Sequence, residues 1–126
     1  MNIPQIENAT ILIAEDDLSS FLVLDAFLKK LNVHIIHVQT GTEAVEAVIN
    51  NSAIDFVLMD IQLPLKDGYT ATKEIKAIRK NLPVVAQTAH ALEDDKFKSI
   101  QAGCDDYLSK PINRDNLYRI LQKYLG

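Results

Sequence analysis

The chain has one cysteine, Cys104, in 126 residues. No intrachain disulfide and no thiolate metal cluster can form, which fits a reducing compartment and points to the cytoplasm. Basic charge is also short, with 13 Lys and Arg against 17 Asp and Glu and a net charge of -4. A surface of that balance does not attract a nucleic-acid backbone, so no direct DNA or RNA contact is expected and a protein partner fits better. No apolar run approaches the length needed to span a bilayer. Residues Met1 to Thr10 include Pro4, Gln5, Glu7 and Asn8 in place of the basic and apolar regions of an export signal, so neither export nor membrane attachment by this chain is expected. Glycine and proline number four each, too few for a collagenous repeat or a low-complexity segment.

What remains is an ordinary globular composition, 48% hydrophobic and 24% charged, at a length that suits one domain. A single domain over 1–126 is expected, with its core from about residue 10 to about residue 125. Ile11-Leu12-Ile13-Ala14 is a continuous apolar run ending at Glu15-Asp16-Asp17, the pattern of a strand buried on both faces. Leu18, Phe21, Leu22, Leu24, Phe27, Leu28 and Leu31 follow with the three-and-four spacing of an amphipathic helix that Asn32 would stop. Val33 to Val38 predicts a second strand, and Thr40 with Glu43 forms a capping box for a helix carrying Ala44, Val45, Val48 and Ile49.

The unit then repeats. Ile54 to Met59 predicts a third strand ending at Asp60, and a helix from near Asp67-Gly68 presents Ala71, Ile75 and Ile78. Pro83 to Gln87 predicts a fourth strand leading to Thr88. A helix over roughly 93–102 stops at Gly103, and a short fifth strand covers Asp106 to Ser109. After Lys110-Pro111 a last helix, capped by Asn113, turns Leu117, Ile120, Leu121 and Tyr124 inward. Five strands alternating with five helices specify an α/β fold with a doubly wound parallel sheet, because each parallel return needs a crossover. Ligands of such sheets bind beyond the carboxyl ends of the strands. Glu15, Asp16, Asp60, Thr88 and Lys110 all stand where an apolar run ends, so they should converge at one edge.

Three carboxylates held together raise one another's proton affinity unless a cation neutralises them. A hard divalent ion is the natural counter-charge, and Glu15, Asp16 and Asp60 offer the oxygen ligands Mg²⁺ takes, without the nitrogen or sulfur that would favour zinc. A carboxylate beside such an ion can act as a nucleophile toward phosphorus, and it needs no general base because it is already ionised at neutral pH. Lys110 supplies positive charge and Thr88 a hydroxyl donor for the transferred oxygens.

The segments IAEDD, LMDIQLPLKDGY, QTAHA and AGCDDYLSKPI, in that order and spacing, resemble the receiver domains of two-component response regulators from Ile11 to about Tyr124. The family pattern is an acidic pair, a phosphoacceptor Asp, a Thr or Ser, an aromatic and Lys-Pro, here Glu15-Asp16, Asp60, Thr88, Tyr107 and Lys110-Pro111. The resemblance implies a flavodoxin-like sheet of order 2-1-3-4-5. It implies Mg²⁺, with Mn²⁺ able to substitute, held by Asp16, Asp60, the backbone carbonyl of Gln62 and Glu15 directly or through water. Asp60, assisted by Lys110 and Thr88, would accept a phosphoryl group from a phosphohistidine on a histidine kinase or histidine phosphotransfer protein. Thr88 and Tyr107 would form the switch pair, the fourth helix, fifth strand and fifth helix the output face, and Lys110-Pro111 a cis peptide. QTAHALEDDKFKSIQAGCDDYLSKPI looks most like the receivers at the C-terminus of hybrid sensor histidine kinases. The resemblance implies a signalling switch and not a metabolic enzyme, and leaves a phosphorylation-dependent homodimer open.

Three other readings compete. An Asp-nucleophile phosphohydrolase would place a second Asp two residues past the nucleophile, where this sequence has Gln62. A flavin or nucleotide module would need a glycine-rich first loop in place of Glu15-Asp16-Asp17. A phosphorylation-independent protein-binding module would not need the ligand and switch positions, all of which are kept. Asp17 reads as a helix cap, His34 and His37 as surface residues of an edge-like strand, His90 as a loop residue and Cys104 as buried and unreactive.

Overall fold

Each apolar run becomes a strand and each periodic stretch a helix, in strict alternation. The computed structural model describes residues 3–89 and 93–126. The strands are β1 (Ala9–Ala14), β2 (Val33–Val38), β3 (Phe56–Asp60), β4 (Val84–Thr88) and β5 (Asp106–Ser109). The helices are α1 (Leu18–Leu28), α2 (Gly41–Asn50), α3 (Gly68–Ile78), α4 (Glu93–Ala102) and α5 (Arg114–Leu125). All strand pairs are parallel, in the order β2-β1-β3-β4-β5, as expected.

Strand alternation divides the interior into two layers. Ile11, Ile13, Phe56, Leu58, Val85 and Leu108 face α1 and α5, where Leu24, Leu28, Leu117 and Leu121 meet them. Leu12, Ala14, Val57, Met59, Val84 and Ala86 face the other way, onto Val45 and Val48 of α2 and Ala71 and Ile75 of α3. Burying each such aliphatic side chain contributes about 2 kcal/mol, so the central strands are anchored from both sides. Ile6 lies in the first layer, so the core begins before the expected residue 10.

Helix starts follow their caps. Asp17 accepts from the Ser20 N–H at 3.2 Å, Thr40 from Glu43 at 3.0 Å, Asp67 from Thr70 at 2.9 Å and Asn113 from Asn116 at 3.1 Å. Gly103 has a φ of 101°, the left-handed conformation expected of it. The Lys110-Pro111 peptide is cis.

The differences are in helix faces and strand edges. α1 ends at Leu28, short of Leu31, and its apolar residues surround it, so Leu18, Leu22 and Val23 are exposed while Leu24 and Leu28 are buried. Ile49 and Ile78, expected inward, face solvent at the last turns of α2 and α3. β3 begins at Phe56, with Ile54 buried outside the strand, and β4 is shifted to include Thr88. Tyr118, not anticipated, is buried in α5 and donates to the Phe27 carbonyl at 2.7 Å.

Gly41 and Gly68 are both fixed by close approaches of backbone, Gly41 against the Lys66 carbonyl and Gly68 beneath the end of β3. Gly68 opens α3 with its N–H on the Ile61 carbonyl at 2.9 Å, and a Cβ there would overlap the Asp60 carbonyl oxygen and lie 2.8 Å from the Ile61 Cα. Gly68→Ala is therefore expected to cost about 2–3 kcal/mol, the scale of overpacking against backbone. A urea midpoint equal to that of the unsubstituted protein would refute this.

Candidate functional site

Strand parity sets the site. Ile13, Leu58, Val85 and Leu108 belong to the α1/α5 layer, and two residues beyond each come Glu15, Asp60, Gln87 and Lys110. Thr88 follows Ala86 on the opposite side, the side against which Tyr107 packs. The charged row and the switch pair named from sequence thus occupy the same edge of the sheet but different faces.

Glu15 is 0% exposed and Asp60 5%, whereas Asp16 reaches solvent. One oxygen from each of the three carboxylates lies within 4.8 Å of the others. Lys110 Nζ donates to Glu15 Oε1 at 2.8 Å and to Asp60 Oδ2 at 3.0 Å, while its backbone N–H holds the Thr88 carbonyl at 2.8 Å. Asp60 Oδ1 accepts from the Gln62 N–H at 3.0 Å, and Glu15 Oε2 from the Asp17 N–H at 3.2 Å. A cleft of about 80 Å³ opens beside Asp60, walled by Ile61, Gln62, Thr88, Asp95 and Lys110 among others.

Burial, aided by the Asp60 carboxylate, raises the Glu15 carboxyl to about 7 against the pull of Lys110. Burial alone would lower Lys110, but its bonds to Glu15 and Asp60 outweigh that and hold its ammonium above the usual range. A carboxyl raised in the folded state stabilises the fold fully below its unfolded value of 4.5, and that stabilisation is lost as pH rises through about 7. Between pH 5 and pH 8, the metal-free protein is therefore expected to lose roughly 2–3 kcal/mol relative to Glu15→Gln, which has no such titration. Parallel melting temperatures of the two proteins across that range would refute it.

The first acidic loop has support that the sequence did not disclose. His37 Nε2 lies 2.8 Å from the Glu15 carbonyl, which fixes the proton on Nε2 as the donor, and its ring stacks on Phe21 of α1 with centroids 3.7 Å apart. His37 is thus half-buried beneath the site, not the surface residue expected, whereas His34 is exposed and bonds Asn8 at 3.0 Å. Spacing places both histidines on one edge strand but says nothing of Phe21, which arrives from another element.

Thr88 Oγ1 donates to Asp95 Oδ2 in α4 at 3.4 Å. Tyr107 is half-buried in β5 with the Lys96 ammonium 5.8 Å from its ring centre. Asp95 gave no signal in sequence, being one of several polar residues in a polar helix. Asp17 serves as the cap foreseen, and burial pushes the Cys104 thiol up to about 11, leaving it inert. His90 lies outside the described residues. Among them, no helix is long and apolar enough to cross a membrane.

The arrangement offers oxygen-only ligands for a hard cation, a carboxylate able to attack phosphorus, and a fixed ammonium beside it. Residues 11–122 match the family model described as the response regulator receiver domain. The chain is 37% identical over 121 residues to the sensor protein GacS of Pseudomonas syringae pv. syringae, covering 92% of this chain and 13% of that protein. It is 35% identical over 115 residues to the transcription factor SKN7 of Saccharomyces cerevisiae, covering 91% of this chain and 18% of that one. The chain therefore spans a small part of the curated relatives it matches. Among solved structures, the receiver domain of the sensor histidine kinase PA1611 from Pseudomonas aeruginosa superposes with a TM-score of 0.87 at 40% identity, over 94% of this chain and 98% of that one. That receiver has a magnesium ion coordinated in its active site cleft. A chain of the co-crystal of the Saccharomyces cerevisiae histidine phosphotransfer protein Ypd1 with the receiver domain of its downstream regulator Ssk1 superposes at 0.87 with 29% identity, over 99% and 92%. With the order β2-β1-β3-β4-β5 and the Glu15, Asp16 and Asp60 cluster in place, this chain belongs to the response regulator receiver domains, the phosphoacceptors of two-component signalling.

Proposed function

We propose that Asp60 is the residue phosphorylated, with Lys110 and Thr88 binding the transferred phosphoryl oxygens. The observation that carries this reading is the double ion pair in which one lysine bridges Asp60 and the buried Glu15. A cation that already spans the acceptor and its neighbour is poised to follow negative charge as it moves onto the phosphoryl group. The donor set of Glu15, Asp16 and Asp60 fits Mg²⁺, with the Gln62 backbone carbonyl as a further ligand. That ion would neutralise the incoming phosphate where carboxylates alone would repel it.

The phosphoryl donor is a phosphohistidine on a histidine kinase or histidine phosphotransfer protein. The exposed Leu18, Leu22 and Val23 on α1, just beyond Glu15-Asp16-Asp17, support this by giving such a partner an apolar seat beside the acceptor. Resemblance to hybrid kinase receivers supports a place in a cytoplasmic relay, as a switch and not an enzyme. On phosphorylation Thr88 would leave Asp95 for the phosphoryl group and Tyr107 would move inward. Tyr107 also walls a groove of about 370 Å³ between β5 and α5, with Asn116, Arg119 and Lys123, which supports that face as the output surface.

The test is intact mass after incubation with acetyl phosphate and Mg²⁺. A gain of one phosphoryl group, absent with EDTA, is expected. No gain in a folded protein that binds Mg²⁺ would restrict the donor to a kinase. No Mg²⁺ binding at all would favour a phosphorylation-independent binding module.

A further inference from the structure

A fully buried glutamine stands one strand away from Asp60. Gln87 is 0% exposed, and neither its Oε1 nor its Nε2 has a hydrogen-bond partner among the described residues. It pairs in register with Asp60, as Val85 pairs with Leu58 two residues earlier. That earlier pair lies in the α1/α5 layer, so strand alternation puts Gln87 and Asp60 side by side on the same face. The row they share, Glu15, Asp60, Gln87 and Lys110, is otherwise charged, and Gln87 is its neutral member.

A cavity of about 80 Å³ adjoins the glutamine, lined by Ser20, Val23, Lys110, Pro111 and Ile112 together with Gln87. Gln87 and Lys110 are the two residues that border both this cavity and the cleft beside Asp60. A buried amide with both ends unmatched is destabilising, and an apolar side chain of the same size would be tolerated better. Its presence is accounted for if the partner arrives in another state of the site.

Lys110 is placed to be that partner. Its ammonium has three N–H donors, of which two go to Glu15 and Asp60. When those carboxylates turn to a divalent cation, as the proposed function requires, the ammonium loses acceptors in a part-buried site. We infer that Gln87 is a positioning residue for Lys110, its amide oxygen accepting the N–H that the carboxylates release and holding the lysine in the cleft during phosphoryl transfer. The inference rests on the phosphoacceptor reading above.

The test compares wild type with Gln87→Met, which keeps the length and removes both hydrogen-bonding ends, and with Gln87→Leu as a second variant should the first not fold. Three quantities are read: the melting temperature without metal, the Mg²⁺ dissociation constant by calorimetry, and the rate of phosphorylation by acetyl phosphate at saturating Mg²⁺. The expected result is a melting temperature raised by several degrees, a dissociation constant within about twofold of wild type, and a rate lowered about tenfold, the scale of one lost hydrogen bond to a charged group. A rate within twofold of wild type would overturn the inference while leaving the phosphoacceptor reading intact. A lowered melting temperature in both variants would overturn it too, because the amide would then be bonded at rest. Failure of the wild type itself to bind Mg²⁺, or to be phosphorylated by either acetyl phosphate or a phosphorylated histidine kinase, would instead remove the reading on which the inference stands.

Discussion

Asp60→Asn is expected to abolish phosphorylation while leaving the metal-free protein as stable as the original or more so. The loss of function follows from the nucleophile: an amide does not attack phosphorus as a carboxylate does. The stability follows from the surroundings. The substituted amide would keep an oxygen for the Gln62 N–H that now bonds Asp60 at 3.0 Å. The substitution would also remove one of the two buried negative charges that share Lys110. Asp60 is among the causes that raise the Glu15 carboxyl to about 7, so in its absence Glu15 ionises more readily and pairs with Lys110 alone. A gain of about 1 kcal/mol at neutral pH is expected, the balance between a lost ion pair and a relieved repulsion. Intact mass after acetyl phosphate treatment, with urea denaturation in EDTA, checks both halves. Phosphorylation that persists in the variant would move the acceptor to another residue, and a loss of several kcal/mol would mean that both carboxylates are needed to satisfy Lys110.

The sequence disclosed most where one element suffices. Ile11 to Ala14 is apolar throughout because both faces of a central parallel strand are covered, and Thr40 with Glu43 marks a helix start from contacts three residues apart. The convergence of Glu15, Asp60, Thr88 and Lys110 was legible because parallel strands bring their carboxyl ends to one edge. Contacts made between elements were not. The eleven residues of α1 are apolar on nearly every side, so periodicity could not say that Leu22 and Val23 would be left exposed while Leu24 is buried. Likewise, His37 reads as a surface residue until Phe21 is seen stacked on it, and Asp95 reads as one more acid until Thr88 is found against it. Gln87 was the nearest miss, since a glutamine inside the run Val84-Val85-Ala86-Gln87-Thr88 is itself a polar residue in a buried strand.

Lys110→Ala should separate folding, metal binding and transfer. Without metal, the variant leaves Glu15 and Asp60, 0% and 5% exposed when Lys110 is in place, with no cation between them. Removing one partner of a buried charge cluster typically costs about 3–5 kcal/mol, part of which Glu15 can recover by keeping its proton. Because the loss is electrostatic, Mg²⁺ should restore much of it by supplying charge to the same carboxylates, so the rise in melting temperature on adding Mg²⁺ should be larger than in the unsubstituted protein. Affinity for Mg²⁺ should hold or increase, since the ion no longer competes with an ammonium fixed at 2.8 Å and 3.0 Å from two of its ligands. Phosphoryl transfer should nonetheless slow by about 10²–10³-fold, the scale observed when one preorganised donor to developing negative charge is removed. The conformational shift on phosphorylation, read from amide spectra, should weaken although metal binding does not, because the Lys110 backbone N–H and side chain together tie the Thr88 carbonyl to the acceptor. A variant that bound Mg²⁺ tightly and still showed the full spectral shift would place the phosphoryl charge out of reach of Lys110 and would break the proposed assignment of the site.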